Sequence, residues 1–119
     1  MKKLSEIKKL IVNEKDHFNV ALKSLNNSGK KICLVTNKKN KLIGVITDGD
    51  IRRNLLKKKS NLKCGLISSK NYLSSSSILL KEKLINKAKI KKILNIPVVN
   101  KNGMLIGIHF LTTDSFIKK

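Results

Sequence analysis

Aromatic residues are scarce: Tyr72, Phe18, Phe110 and Phe116, with no tryptophan, among 119 residues. The core must therefore be built from Ile, Leu and Val, and no aromatics are placed for stacking on nucleic-acid bases. Acids are almost as sparse, 7 against 27 lysines and arginines, which gives a formal net charge of +20. With so few carboxylates, neither His17 nor His109 has an acid obviously paired with it, so no acid–base pair for catalysis is expected. Cysteines number 2. Cys33 lies inside an apolar run, and the pair reads as two reduced thiols, not as a disulfide or a metal site.

Long apolar runs are missing too. None approaches a transmembrane span, and residues 1–12 are too broken by lysine for a signal peptide, so a cytoplasmic protein with no membrane partner is expected. There is no glycine-rich phosphate loop ending in Lys-Ser/Thr and no metal-spaced ligand set. A non-catalytic chain with no required cofactor and no metal follows. The basic residues are nearly all lysine and spread over the whole length. A dedicated nucleic-acid surface would show clustered arginines, so nucleic acid is not the expected partner, whereas small anionic ligands suit this charge.

What is present is a repeat. CLVTNKKNKLIGVI (33–46) and IPVVNKNGMLIGIH (96–109) align without a gap. Val35 matches Val98, Asn37 matches Asn100, Lys38 matches Lys101, and Leu42-Ile43-Gly44 matches Leu105-Ile106-Gly107. Each copy reads as strand, polar turn, strand. Before the first copy, Phe18, Ala21, Leu22 and Leu25 fall on one helical face, and Gly29 can end that helix in the left-handed conformation. Before the second, Leu80, Leu84, Ile85 and Ala88 mark another face, with the serine run 74–77 offering N-caps. A helix is expected after each hairpin, from Asp48 to about Lys58 and from about Thr113 onward. Leu10-Ile11-Val12 and Gly65-Leu66-Ile67 are candidate edge strands, and residues 57–64 read as a linker. Neither copy has enough core to stand alone. The expected fold is therefore α/β (α+β): two repeats, 1–60 and 61–119, each a small sheet flanked by two helices, packed about a pseudo-twofold axis.

The stretch GVITDGDIRR (44–53) holds two of the acids and both arginines. Thr47 can cap the following helix, and Asp50, three residues on, can answer it in a capping box. Asp48 and Asp50 also suit the positive end of a helix dipole. An ordinary helix start accounts for all three. The same geometry also suits a nucleotide: helix-end N–H groups and the Thr47 hydroxyl for phosphate or ribose, the Asp50 carboxylate for ribose hydroxyls, and Arg52 or Arg53 for phosphate. Gly44 lets the backbone pass close to a base or a neighbouring strand.

The duplicated unit, with Gly44-Val45-Ile46-Thr47-Asp48-Gly49-Asp50 and Ile96-Pro97-Val98-Val99, resembles a tandem pair of CBS (cystathionine-beta-synthase) domains, a Bateman module, over about residues 5–117. TDGDIRR followed by Leu55-Leu56, and Ile106 to His109 in the second copy, resemble the pair that precedes bacterial sugar-phosphate nucleotidyltransferases. The resemblance implies a regulatory module that binds AMP, ADP or ATP between its repeats and modulates an attached nucleotidyltransferase domain, and it implies a homodimer. In that pattern Thr47 would contact phosphate or ribose and Asp50 the ribose hydroxyls, and Asp48, Arg52 and Arg53 complete the candidate nucleotide site from the helix start itself. Ile32 and Cys33 would line the base, with Leu10 and Ile11 as further walls. A weaker second site would involve Ile96, Pro97 and His109, because Phe110 and Thr113 stand where Thr47 and Asp50 stand in the first copy. The other reading is a ligand-free scaffold, serving to dimerise or to bind an anionic partner such as nucleic acid.

Overall fold

The computed structural model describes residues 7–57 and 62–119. Strand β1 (Ile11–Asn13) leads into helix α1 (Phe18–Ser28), then the hairpin β2 (Cys33–Thr36) and β3 (Leu42–Ile46), and helix α2 (Asp48–Leu56). A short helical turn, α3 (Cys64–Ile67), precedes helix α4 (Glu82–Ile90), the hairpin β4 (Asn95–Val99) and β5 (Leu105–Phe110), and strand β6 (Ser115–Lys118). The strands form two three-stranded sheets, β1-β2-β3 and β4-β5-β6. Both expected domain boundaries, at 60 and 61, and the middle of the linker lie outside the described residues.

The duplication extends to the backbone. At an offset of 63 residues, the irregularity between Val35 and Thr36 recurs between Val98 and Val99. Gly29 (φ 66°) recurs as Lys92 (φ 59°), and Asn40 (φ 66°) as Gly103 (φ 82°). All four residues adopt the left-handed conformation that ends a helix or turns a hairpin, and glycine and asparagine adopt it at the least cost. The two hairpin turns meet each other. Leu42 N–H donates to the Gly103 carbonyl and Leu105 N–H to the Asn40 carbonyl, both at 3.0 Å. Those two bonds exchange under the same offset, so they mark the pseudo-twofold axis.

Strand alternation divides the core into two layers. Ile32, Leu34 and Val45 point toward the second sheet and pack with Leu105, Ile108 and Phe110. Cys33, Val35 and Ile46 point the other way, under Ala21 and Leu25 of α1, Ile51 of α2, and Cys64 and Ile67 of α3. Gly44 faces that second layer, where a Cβ would lie 2.4 Å from the Ser68 hydroxyl. The close approach is thus to a neighbouring protein segment.

Three expectations need correction. The chain after β5 is not a helix. Residues Leu111–Asp114 turn, with Asp114 at φ 49°, and β6 pairs antiparallel with β5. Phe110 stands where Thr47 caps α2 and has no oxygen to cap with, and the residues that follow include β-branched Thr112, Thr113 and Ile117. Gly65-Leu66-Ile67 is not an edge strand, since it lies in α3. Its place beside β4 goes to the serine run: Ser75 N–H donates to the Pro97 carbonyl at 2.9 Å and Val99 N–H to the Ser75 carbonyl at 2.8 Å. The run therefore does not cap α4, whose N-cap is Lys81, without a side-chain bond.

Both cysteines are buried free thiols. Burial pushes the Cys33 thiol from 9.0 up to about 12, and it pushes Cys64 up to about 11. Folded thiols then hold protons that unfolded ones release, so their contribution to stability is whole below about pH 9 and falls as pH rises toward these values. The urea midpoint should decline more steeply in the wild type than in Cys33→Ala above about pH 9, a comparison that cancels the lysines titrating in the same range. Equal slopes would refute the assignment.

Candidate functional site

Helix α2 begins with the capping box that the spacing predicts. Asp50 N–H donates to Thr47 Oγ1 at 3.4 Å, and Thr47 N–H donates to Asp50 Oδ2 at 2.9 Å. The Thr47 hydroxyl also bonds Oδ2, at 3.1 Å. Oδ1 accepts from Arg53 at 2.6 Å, the only salt bridge among the described residues. Asp50 is only 7 % exposed. The structural role of this motif is therefore real, and it engages both carboxylate oxygens.

The space beside the motif is nonetheless open. A cleft of about 340 Å³ is lined from the first repeat by Ile32, Val45, Thr47, Asp50 and Arg53. The opposite wall is Lys92, Ile93, Leu94, Asn95 and Pro97, from the end of α4 and the start of β4. Ser69, Asn71, Tyr72 and Leu73 close one end, and Lys31 also borders the space. Helical geometry selects the residues: Thr47, Asp50 and Arg53 recur every three positions and share a face. Asp48 and Arg52 do not, and both lie outside the cleft. The charged groups are Lys31, Arg53 and Lys92 against Asp50 alone. Burial raises the Tyr72 phenol above its ordinary value, and its hydroxyl donates to the Leu42 carbonyl at 3.4 Å.

Asp50 can serve both roles. A carboxylate has about four acceptor positions, and three are used by Thr47 N–H, the Thr47 hydroxyl and Arg53. The Arg53 side chain is 64 % exposed, whereas that of Asp50 is 10 % exposed, so parting them would leave a buried carboxylate short of its cation. The fourth acceptor position is open to a ligand hydroxyl, and the exposed Arg53 guanidinium has donors beyond the one on Oδ1 to offer a phosphate while the pair stays intact.

Other expected site residues lie elsewhere. Cys33 alternates with Ile32 and points into the core under α1, so only Ile32 reaches the cleft. Leu10 and Ile11 do not wall this cleft either. Leu10 is buried between the sheets and borders a pocket on the opposite side with Lys30, Phe110 and Ile117, and Ile11 packs against the same inter-sheet layer. In the second repeat the alternation separates Ile96 from Pro97. Ile96 is fully buried in its own repeat, Pro97 lines the first cleft, and His109 faces an outer groove where its Nε2 meets the Ile78 carbonyl. At the counterpart of the Thr47 corner stands Phe110, 6 % exposed, with the Lys30 ammonium 4.9 Å from its ring centre; the space beside it, about 320 Å³, stays open but offers Phe110 and Thr113 in place of Thr47 and Asp50.

Comparison with known proteins gives this arrangement a family context. A family model described as CBS domain matches residues 4–57. The CBS domain pair of protein MJ0100, solved in complex with 5'-methylthioadenosine and S-adenosyl-L-methionine, superposes with a TM-score of 0.72 at 21 % identity, covering 88 % of this chain and 86 % of that one. The fold is that of a CBS domain pair. CBSX2 in complex with AMP has the same fold, with a TM-score of 0.73 at 22 % identity over 89 % of this chain and 87 % of that one. In sequence, the chain is 37 % identical over 98 residues to the uncharacterized protein RP505 of Rickettsia prowazekii (strain Madrid E). That stretch is 82 % of this chain but 30 % of the relative. No helix among the described residues is long and apolar enough to cross a membrane.

Proposed function

We propose that this CBS pair is a regulatory module that binds an adenine nucleotide, AMP, ADP or ATP, in the cleft between its repeats. The observation that carries the reading is that the Thr47–Asp50–Arg53 corner of one repeat faces Lys92, Asn95 and Pro97 of the other across open space. A ligand there touches both repeats, so its differential affinity for their arrangements is transmitted to whatever is attached. Thr47 and Arg53 meet phosphate, Asp50 meets the ribose, and Ile32, Val45 and Pro97 flank the base. Support for adenosine comes from the solved relatives of this fold, one with AMP and one with two adenosine compounds. The attached partner is a sugar-phosphate nucleotidyltransferase domain. That assignment rests on the TDGDIRR motif, and the matched stretch being a minor part of the Rickettsia relative suits a module that serves a larger chain. A homodimer, with the lysines kept to its rim, belongs to the same proposal.

Thermal shift tests the cleft. At one hundred times its dissociation constant, a nucleotide should add about 2.7 kcal/mol of stability. Lys92→Asn keeps the left-handed backbone but removes a charge, and it should weaken ATP more than AMP while leaving the unliganded melting temperature within a few degrees. If AMP, ADP, ATP and sugar nucleotides all leave the melting temperature unmoved, the module is a scaffold. The capping box already satisfies Asp50 without a ligand, and this is the observation in favour of that second reading.

A further inference from the structure

The two repeats keep register as far as Phe110 and then part. In the first, α2 covers the outer face of its sheet and buries Ile51 among residues of α1, α3 and β3. In the second, the residues at the offset of α2 form a turn and β6, which widens the sheet at its edge instead of covering its face. The place that α2 fills in one repeat is a groove of about 390 Å³ in the other. Its walls are Ile78, Leu79, Leu80, Ile85, His109 and Leu111. The register identifies it: Ile85 stands at the offset of Leu22, and His109 at that of Ile46. Ile46 is fully buried beneath α2, whereas His109 is half-buried and Leu79 is 83 % exposed. A contiguous apolar groove rimmed by charge is the signature of an interaction site.

We propose that this groove docks an amphipathic helix of a partner protein, with acidic residues flanking its apolar face. The first repeat shows the shape of the occupant, since the equivalent walls there seat the nine-residue helix α2. Charge sets the chemistry of the flanks. Residues 81–92 carry six lysines and one glutamate, and the groove itself is lined by one lysine, Lys89, and one acid, Asp114. At this groove a second copy is disfavoured, because its α2 is already seated in its own repeat. Helix-in-groove recognition of this kind reads apolar anchors at i, i+3, i+4 and i+7.

A fluorescein-labelled peptide of about 15 residues, with leucines at those spacings and glutamates on both flanks, provides the test. Anisotropy should show saturable binding, and the shifted amides in a two-dimensional NMR spectrum should cluster at Leu79, Ile85 and Leu111. Leu79→Glu changes a side chain that is 83 % exposed and should leave the fold intact. It should weaken binding at least tenfold, and Ile85→Glu should do the same. A peptide of the same composition with the leucines scrambled should not bind saturably. Absence of binding overturns the proposal, as does equal binding of the scrambled peptide or indifference to Leu79→Glu. A dimer that Leu79→Glu dissociates in sedimentation would overturn it as well, by assigning the groove to a second copy.

Discussion

Ile108→Ala is expected to lower stability by about 2–5 kcal/mol, the range for truncating a fully buried isoleucine. Against a total of about 5–15 kcal/mol for a domain of this size, that is a large fraction. Ile108 is fully buried and belongs to the layer that joins the sheets, among Leu34, Val45, Leu105 and Phe110. The layer holds one repeat to the other, so the loss should not be confined to the second repeat. Both should unfold together in a single transition at a lower urea midpoint, with circular dichroism and Tyr72 fluorescence moving in step. Leu55→Ala on α2 is the contrast, since Leu55 is 48 % exposed and surface changes of this kind cost within about 0.5 kcal/mol. A loss below about 1 kcal/mol for Ile108→Ala, or a first repeat that melts at its original midpoint, would mean that the inter-sheet layer is not what unites the molecule.

How far the sequence discloses this fold depends on which kind of signal carries each part. The hairpins are legible because their apolar runs and turns recur without a gap, and the recurrence extends to the left-handed positions at Asn40 and Gly103. Helix α2 is legible because Thr47 and Asp50 form a capping box that can be read from spacing alone. The last segment is not, because the expectation of a second helix came from the repeat itself. At Phe110 the repeat continues in position but no longer in chemistry. Lysine at position 92 conceals a left-handed helix end that glycine announces at position 29, so only the offset of 63 exposes it.

The cleft is legible in part for the same reasons. Thr47, Asp50 and Arg53 share a face by helical period, and Ile32 enters by strand alternation. The alternation also removes Cys33 and Ile96, which neighbour true lining residues but are themselves fully buried away from the cleft. Ser69, Asn71 and Tyr72 carry no such pattern. They belong to an irregular segment, and they reach the cleft because Ser69 exchanges two backbone hydrogen bonds with Val45, at 3.1 and 2.8 Å. Tertiary contact places them, and no local periodicity reports it.

Gly44→Val should be the most damaging single change near the cleft, lowering the melting temperature by roughly ten degrees or more and weakening nucleotide binding together with it. A Cβ at position 44 would lie 2.4 Å from Ser68 Oγ, 2.7 Å from Ser68 Cβ and 3.0 Å from the Ser69 carbonyl oxygen. A side chain can rotate away, but a Cβ and a backbone oxygen cannot, so the Ser68–Ser69 segment must move. That segment pairs with Val45 and lines the cleft, which couples a packing error to the site. Ser68→Gly removes the two closest atoms, so Gly44→Ala should be largely rescued by Ser68→Gly, while the bulkier valine should not be. The interaction energy of the Gly44→Ala and Ser68→Gly cycle should fall within about 0.5–3 kcal/mol, as for residues in direct contact. Additive effects would show that the strand and the segment crossing it are not in contact, and with that contact would go the reason for a glycine at position 44.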